Sequence, residues 1–498
     1  MIIVTVLLAS LILYSIIFNI NLAYQRSKYS GIPSPPQDSH WYGHLTTIRK
    51  ARAHNGFLDL VLEWKKKHGP TYMIFSRIKY ILFTVDPGMV KILSQDLNIF
   101  WKLDDLPNRS LFGQRIAGWD SMLTASSEVW ARKRKTLSKF FLKSNMEALF
   151  ELCRVQLENG VRVGMRKEVG NGKTVDLIEM FAGVFEAMPK FMSIDGCYTP
   201  DAIGDMVGMI LRVVQKQLGD WFDPQRMLFM MSKEKNVAIG RIAEMRQAML
   251  EVLERSEVIS KMQNKDPHED PENPTDLLAY FVKANKACGF KGAELSEKIV
   301  DDVMTLYLVM DNMVKQLSAM FIHLGDYPDV YRKMAQEIRE TEIQDFQSLS
   351  KLEYTEKVIL EALRFSPALQ RGTRLSISPD GAPAKVGNYI LPNRTQIHFF
   401  TYSIHHDGDI WENPEVFDPE RWRDGFSPAP YTYMPFFAGP RGCLGKHFAM
   451  MAMKLTLSVF LRNFEFEPMF GGKPPEIDKG MAVMRIRDPV PYRLTPIN

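Results

Sequence analysis

Cysteine is scarce here: Cys153, Cys197, Cys288 and Cys443 are the only four in 498 residues, and no two form a Cys-x-x-Cys pair. That spacing argues against a structural zinc site and against a disulfide framework, and it fits a reducing compartment. Net charge is small as well, +4, too little to argue for a nucleic-acid partner. Internal repeats and low-complexity tracts are missing. What is present is an ordinary globular composition, 46% hydrophobic and 24% charged. A chain of this length can bury a large core and still keep an internal pocket.

Another absence marks the N-terminus. Residues 1–25 carry no charged side chain, and most positions up to Ile20 are aliphatic or aromatic. As a helix the run is long enough to cross a bilayer core of roughly 30 Å. Arg26 and Lys28 follow it and no basic residue precedes it, so the expected topology keeps the rest of the chain cytosolic. A cleaved signal peptide is the competing reading. It calls for a basic start, a shorter apolar run and a small-residue cleavage site, and little of these is found. Residues 26–40 are basic and then proline-rich (Gly31-Ile-Pro-Ser-Pro-Pro36), a stiff segment expected to act as a spacer. Residues 41–498 are expected to form the catalytic domain.

Within that domain, Thr71–Phe75 and Tyr80–Val85 read as short strands, and strand-like alternation returns between Lys385 and Tyr402. Helical periodicity dominates from about Pro87 to Leu363, broken by a charged, proline-containing loop from Gln263 to Thr275. The expectation is a mainly α fold with small peripheral β-sheets. One helix is placed from Ser296, as N-cap, to Asp326, and at 1.5 Å per residue it would be roughly 45 Å long. Another is expected to open on a capping box, Ser350-x-x-Glu353, and to stop before Pro367.

The most informative stretch is Phe436-Phe-Ala-Gly439-Pro-Arg441-Gly-Cys443-Leu-Gly445. Its glycines permit a sharp turn and a close approach of backbone to a flat ligand. Arg441 supplies a permanent cation suited to a carboxylate. Backbone N–H groups in such a turn, and the N-terminus of the helical run that starts at Lys446, favour an anionic sulfur. A lone cysteine elsewhere would more simply be a buried thiol.

At every specified position this stretch resembles the haem-binding signature of the cytochrome P-450 superfamily. Three further motifs are similar to that family's, in the same order: Trp130-x-x-x-Arg134, Glu361-Ala-Leu-Arg364, and Phe417-Asp-Pro-Glu-Arg421-Trp422. The resemblance implies the cytochrome P-450 fold and a haem b whose iron is held by Cys443. It implies that Trp130, Arg134, Arg374 and Arg441 hold the propionates, with Phe436, Gly439 and Gly445 around the ring. Glu361, Arg364 and Arg421 would form a structural triad. The thiolate would push electron density onto the iron for dioxygen cleavage, and the protein would supply binding, orientation and protons. It further implies an endoplasmic reticulum membrane protein with a single span, fed by NADPH through a flavoprotein reductase. Its basic run Arg132-Lys133-Arg134-Lys135 is then a candidate docking face. Within the superfamily, Phe57–Pro70, Leu111–Gln114 and Tyr431–Phe436 look most like the animal cholesterol 24-hydroxylase family, which implies a sterol or similar lipid substrate.

The central helix departs from the family pattern. Aligned without gaps on Pro328, Leu308 and Val309 fall at the family's two small positions, Asp311 at its acid and Asn312 at its threonine. A shift of one residue puts Asn312 at the acid and Met313 at the threonine, and in either register the threonine is missing. An amide can hold a water but cannot relay a proton as a hydroxyl does. Leu308 and Val309 fill space and favour a regular helix. Asp311 is a candidate carboxylate relay, or is simply paired with Lys315 one turn on. Gln370 and Arg371 fall in a segment resembling a substrate-contacting strand, although Arg371 could equally point to solvent. Three readings stay open: a reductase-fed monooxygenase, a reductase-independent lipid hydroperoxide isomerase or dehydratase, and a haem or lipid binding protein with little turnover.

Overall fold

The computed structural model describes the chain except residues 1, 77–78, 102–117, 126, 160, 162–173, 187–232, 257–258, 262–275, 379, 480–482 and 498. Cys197, Leu111–Gln114 and the whole of the Gln263–Thr275 loop lie outside the described residues. The architecture is mainly helical with small sheets at the periphery, as the periodicity predicts. Thr71–Ser76 and Lys79–Thr84 form an antiparallel hairpin. Lys79–Thr84 then pairs in parallel with Gln396–Phe399, and Gly372–Ser376 and Phe100–Trp101 complete a five-stranded sheet. This sheet and the helices Leu45–Ala53, Phe57–His68 and Pro87–Gln95 share one hydrophobic core, while the long helices share another.

The proline segment is no loose spacer. Pro33 O accepts from Met73 N at 2.8 Å, and the buried ring of His44 bridges Pro35 O (2.8 Å, from Nε2) and Phe75 N (3.0 Å, to Nδ1). Ahead of it the apolar run is a helix, Ile2–Ser27. Among the described residues, however, no helix is long and apolar enough to cross a membrane, so the expected span is not borne out.

Two helix starts differ from the expectation. The central helix begins at Gly292 rather than Ser296 and runs unbroken to Asp326, 35 residues or roughly 52 Å. The helix Glu353–Phe365 takes no cap from Ser350, whose hydroxyl donates to Gln347 O instead. Its first-turn N–H groups are held by a carboxylate from the preceding helix, Pro328–Glu340. Glu337 accepts from Tyr354 N and from Thr355 N, both at 2.7 Å. A tertiary cap satisfies the same orphan donors as a local one, and short-range pattern cannot reveal it.

Candidate functional site

The turn around Cys443 is built from unusual backbone. Phe437 and Gly439 have φ of 55° and 73°, the left-handed region that only glycine enters without strain. Phe437 is held there by an edge-on contact with Phe399, their ring centroids 5.6 Å apart. A Cβ on Gly439 would lie 2.8 Å from Ser94 O, so glycine is required by space as well as by conformation. Cys443 N donates to Phe436 O at 2.8 Å and Gly442 N to Gly439 O at 2.9 Å, which closes the turn. Helix Lys446–Asn463 leads away from it with Gly445 as N-cap. The thiol is densely surrounded by protein, yet Cys443 is exposed. Neighbouring atoms surround the residue without covering it. Burial pushes the thiol pKa up, while the Gly445 N–H, Arg134 and Lys446 pull it down.

Cations crowd one side of this turn. Arg134 donates to Gly442 O at 2.8 Å. Arg441 donates to Ala125 O at 3.1 Å and lies 4.3 Å over the ring of Trp130, with Arg134 5.6 Å from the same ring. Trp130 and Arg134, four apart on helix Ser127–Leu137, share a face for the usual helical reason. Arg374 is buried on the sheet, donating to Leu93 O and Thr373 O and stacked on Phe399.

Behind the turn sits a closed ion cluster. Glu361 and Arg364 are fully buried and joined by two hydrogen bonds of 3.0 and 2.8 Å. Glu361 also accepts from Arg421 Nε (3.1 Å), Trp422 Nε1 (3.0 Å) and Asp418 N (3.0 Å). Arg364 reaches the carbonyls of His405, Pro414 and Val416. His405 Nε2 accepts from Met434 N at 2.8 Å, so its other nitrogen donates to Arg364 O, and burial holds this ring neutral. Tyr433 donates to Leu360 O at 2.9 Å. The triad and the polypeptide leading into the cysteine turn are therefore one rigid piece.

A family model described as cytochrome P-450 matches residues 33–495. The chain belongs to this family. It is similar to cytochrome P-450 3A40 of Oryzias latipes, 24% identical over 492 residues, covering 95% of this chain and 93% of the relative. Cytochrome P-450 3A6 of Oryctolagus cuniculus is 26% identical over 461 residues, covering 88% and 86%. These matches do not support the likeness to cholesterol 24-hydroxylase. The structure gives a physical reason. Phe57, Leu58, Val61 and Trp64 are buried core, and Tyr433 and Met434 clamp the triad, so those segments carry scaffold rather than substrate recognition. Membership makes the protein a haem-thiolate oxidoreductase of the monooxygenase type. The turn fits that cofactor: an exposed thiol flanked by two arginines and a tryptophan.

The central helix shows no bulge at 308–312. Leu308 is buried, Asn312 half-buried, and Asp311 is ion-paired with Lys315 one turn on. Val309 is 40% exposed in the middle of an otherwise buried stretch. Gln370 is buried and donates to Asp478 O at 2.8 Å, a structural tie, and Arg371 is half-buried.

Lys133 corrects the docking face. It is fully buried and salt-bridged to Asp302 at 2.8 Å, which leaves Arg132 and Lys135 as the exposed cations of that run. The sequence held a signal for this. Asp301 and Asp302 fall within a helix long enough to cross the domain, and buried acids demand partners. Asp301 finds Arg246 at 2.7 Å, and burial raises its pKa to about 6 against that cation.

Proposed function

We propose that this P-450 is a membrane-attached monooxygenase that inserts one atom of dioxygen into a sterol or similar hydrophobic lipid, with electrons from NADPH through a flavoprotein reductase. The observation that supports the substrate class is the apolar stretch of the central helix, where Val309 is 40% exposed beside buried Leu308, Met310 and Met313. An exposed aliphatic side chain among apolar neighbours favours contact with an apolar ligand. In this reading Cys443 ligates the iron, Trp130, Arg134, Arg441 and Arg374 hold the propionates, and Phe436, Gly439 and Gly445 bound the ring. Bound haem supplies dioxygen activation. The protein's part is orientation and protons: Asn312 holds a water through its amide, and Asp311 exchanges protons with solvent across its Lys315 pair.

Attachment to the endoplasmic reticulum membrane is supported by the N-terminal helix, which exposes Ile12, Leu13, Ile16, Ile17 and Ile20, with Trp41 and Tyr42 exposed nearby in sequence. Aromatic residues of this kind favour the membrane–water boundary.

The test is an incubation with reductase, NADPH, heavy-isotope dioxygen and an animal lipid extract, read by mass spectrometry. A lipid product carrying one heavy oxygen is expected. Product from lipid hydroperoxides without NADPH would replace this reading with an isomerase or dehydratase. No product of either kind, from haem-loaded and reducible protein, would leave a binding protein. Reversing the charge of Arg132 and Lys135 together is expected to slow reduction by the flavoprotein about tenfold or more at low salt, with the difference shrinking as salt rises. An unchanged rate and salt dependence would remove this helix from the docking surface.

A further inference from the structure

Asp302 stands at a junction that the site description does not use. Its carboxylate is buried in the central helix and collects three donors from three other elements. Lys133 Nζ of helix Ser127–Leu137 and Asn285 Nδ2 of helix Leu277–Ala287 each donate to Oδ2 at 2.8 Å, and Met122 N donates to Oδ1 at 3.2 Å. Two of these lead directly to the cations at Cys443. Lys133 lies between Trp130 and Arg134 on its helix, and Arg134 holds Gly442 O. Met122 lies in the turn stapled by Ala125 N donating to Ser121 O at 2.8 Å, and Ala125 O is the carbonyl that Arg441 grasps.

We infer that Asp302 and Lys133 are positioning residues for the haem edge: the pair fixes the rotation of the Trp130 helix and the place of the Ala125 turn, and so aims Arg134 and Arg441. Stability alone does not account for it. Lys133 and Asp302 have side chains 0% and 1% exposed, and an apolar pair of similar volume commonly serves a buried site as well or better. What this cluster adds is direction, because a carboxylate that holds donors from three elements at once satisfies them in few geometries. An apolar pair would let the 11-residue helix turn or slide at little energetic cost. The residues act through others, as outer partners of a metal site do.

The inference rests on the reading that Arg134 holds a propionate, and the experiment separates the two. Haem loss from the holoenzyme is followed by transfer to an excess of apomyoglobin, with far-ultraviolet circular dichroism as the folding readout. Four variants are compared: Lys133→Met with Asp302→Leu; Lys133→Gln with Asp302→Asn, which keeps the side-chain shapes; Arg134→Met; and the apolar pair combined with Arg134→Met. The apolar pair is expected to keep native helix content and to lose haem roughly 10- to 100-fold faster. The combined variant is expected to lose it little faster than Arg134→Met, since residues acting through one contact are not additive. Should the apolar pair fail to fold, the shape-conserving pair is judged by the same criterion. Native haem retention in a folded pair variant overturns the inference, and so does failure of both pairs to fold, which would make the cluster a stability element. Native retention in Arg134→Met alone would instead overturn the propionate reading.

Discussion

Glu361→Ala is expected to leave no folded, haem-loaded protein. The truncation takes one carboxylate from a place where five donors converge: two from Arg364, and one each from Arg421, Trp422 and Asp418 N. Arg364 is fully buried and would keep only the carbonyls of His405, Pro414 and Val416 to meet its charge. Removing one partner of a buried ion pair costs about 3–5 kcal/mol, and each buried donor left without an acceptor adds about 1–3 kcal/mol. Folded proteins of ordinary stability hold only about 5–15 kcal/mol in total, so the loss is comparable to the whole. Glu361→Gln keeps an acceptor and the shape, and is expected to fold poorly rather than not at all. Thermal melts by circular dichroism, with haem content from the pyridine haemochrome, check both. A Glu361→Ala protein that melts near the native temperature with full haem would show that the triad is dispensable.

How much of this was legible beforehand depends on the range of the interaction. The cysteine turn, the Glu361–Arg364 pair and the Trp130–Arg134 pair are short-range patterns, and each is found where its spacing puts it. The five-stranded sheet was readable only as strands, because the pairing of Lys79–Thr84 with Gln396–Phe399 joins residues over three hundred positions apart. Helix starts failed where the cap came from elsewhere, as with Glu337. Lys133 was misread because a charge run looks the same whether or not one member points inward. Its partner Asp302 lies 169 positions away, and no local rule connects them. Asp311 was the opposite case, since its partner is one helical turn on and both of its readings were local.

Cys443→Ser is expected to abolish NADPH-dependent oxygen insertion and to remove the long-wavelength carbon monoxide band that a thiolate ligand gives ferrous haem. The ligand is decided by which thiol can become an anion at the iron. Burial pushes Cys153 up to about 12, and no cation is among the causes of that shift, so it stays a neutral packing thiol. Cys288 is half-buried and also raised by burial, although Lys133 and Arg132 oppose the rise; its sulfur is directed to Val129 O at 3.8 Å. Cys443 alone of these three is exposed, and although burial raises its pKa too, a backbone N–H, Arg134 and Lys446 all favour the anion. A serine hydroxyl in the same surroundings ionises far less readily than a thiol, so the charge those groups favour is not supplied. Cys153→Ser and Cys288→Ser should keep the band and the activity, with at most a loss of stability at Cys153, where a hydroxyl would be buried in an apolar cluster. Retention of the thiolate band in Cys443→Ser would place the iron ligand on another sulfur, and the cations gathered around residue 443 would then need a different explanation.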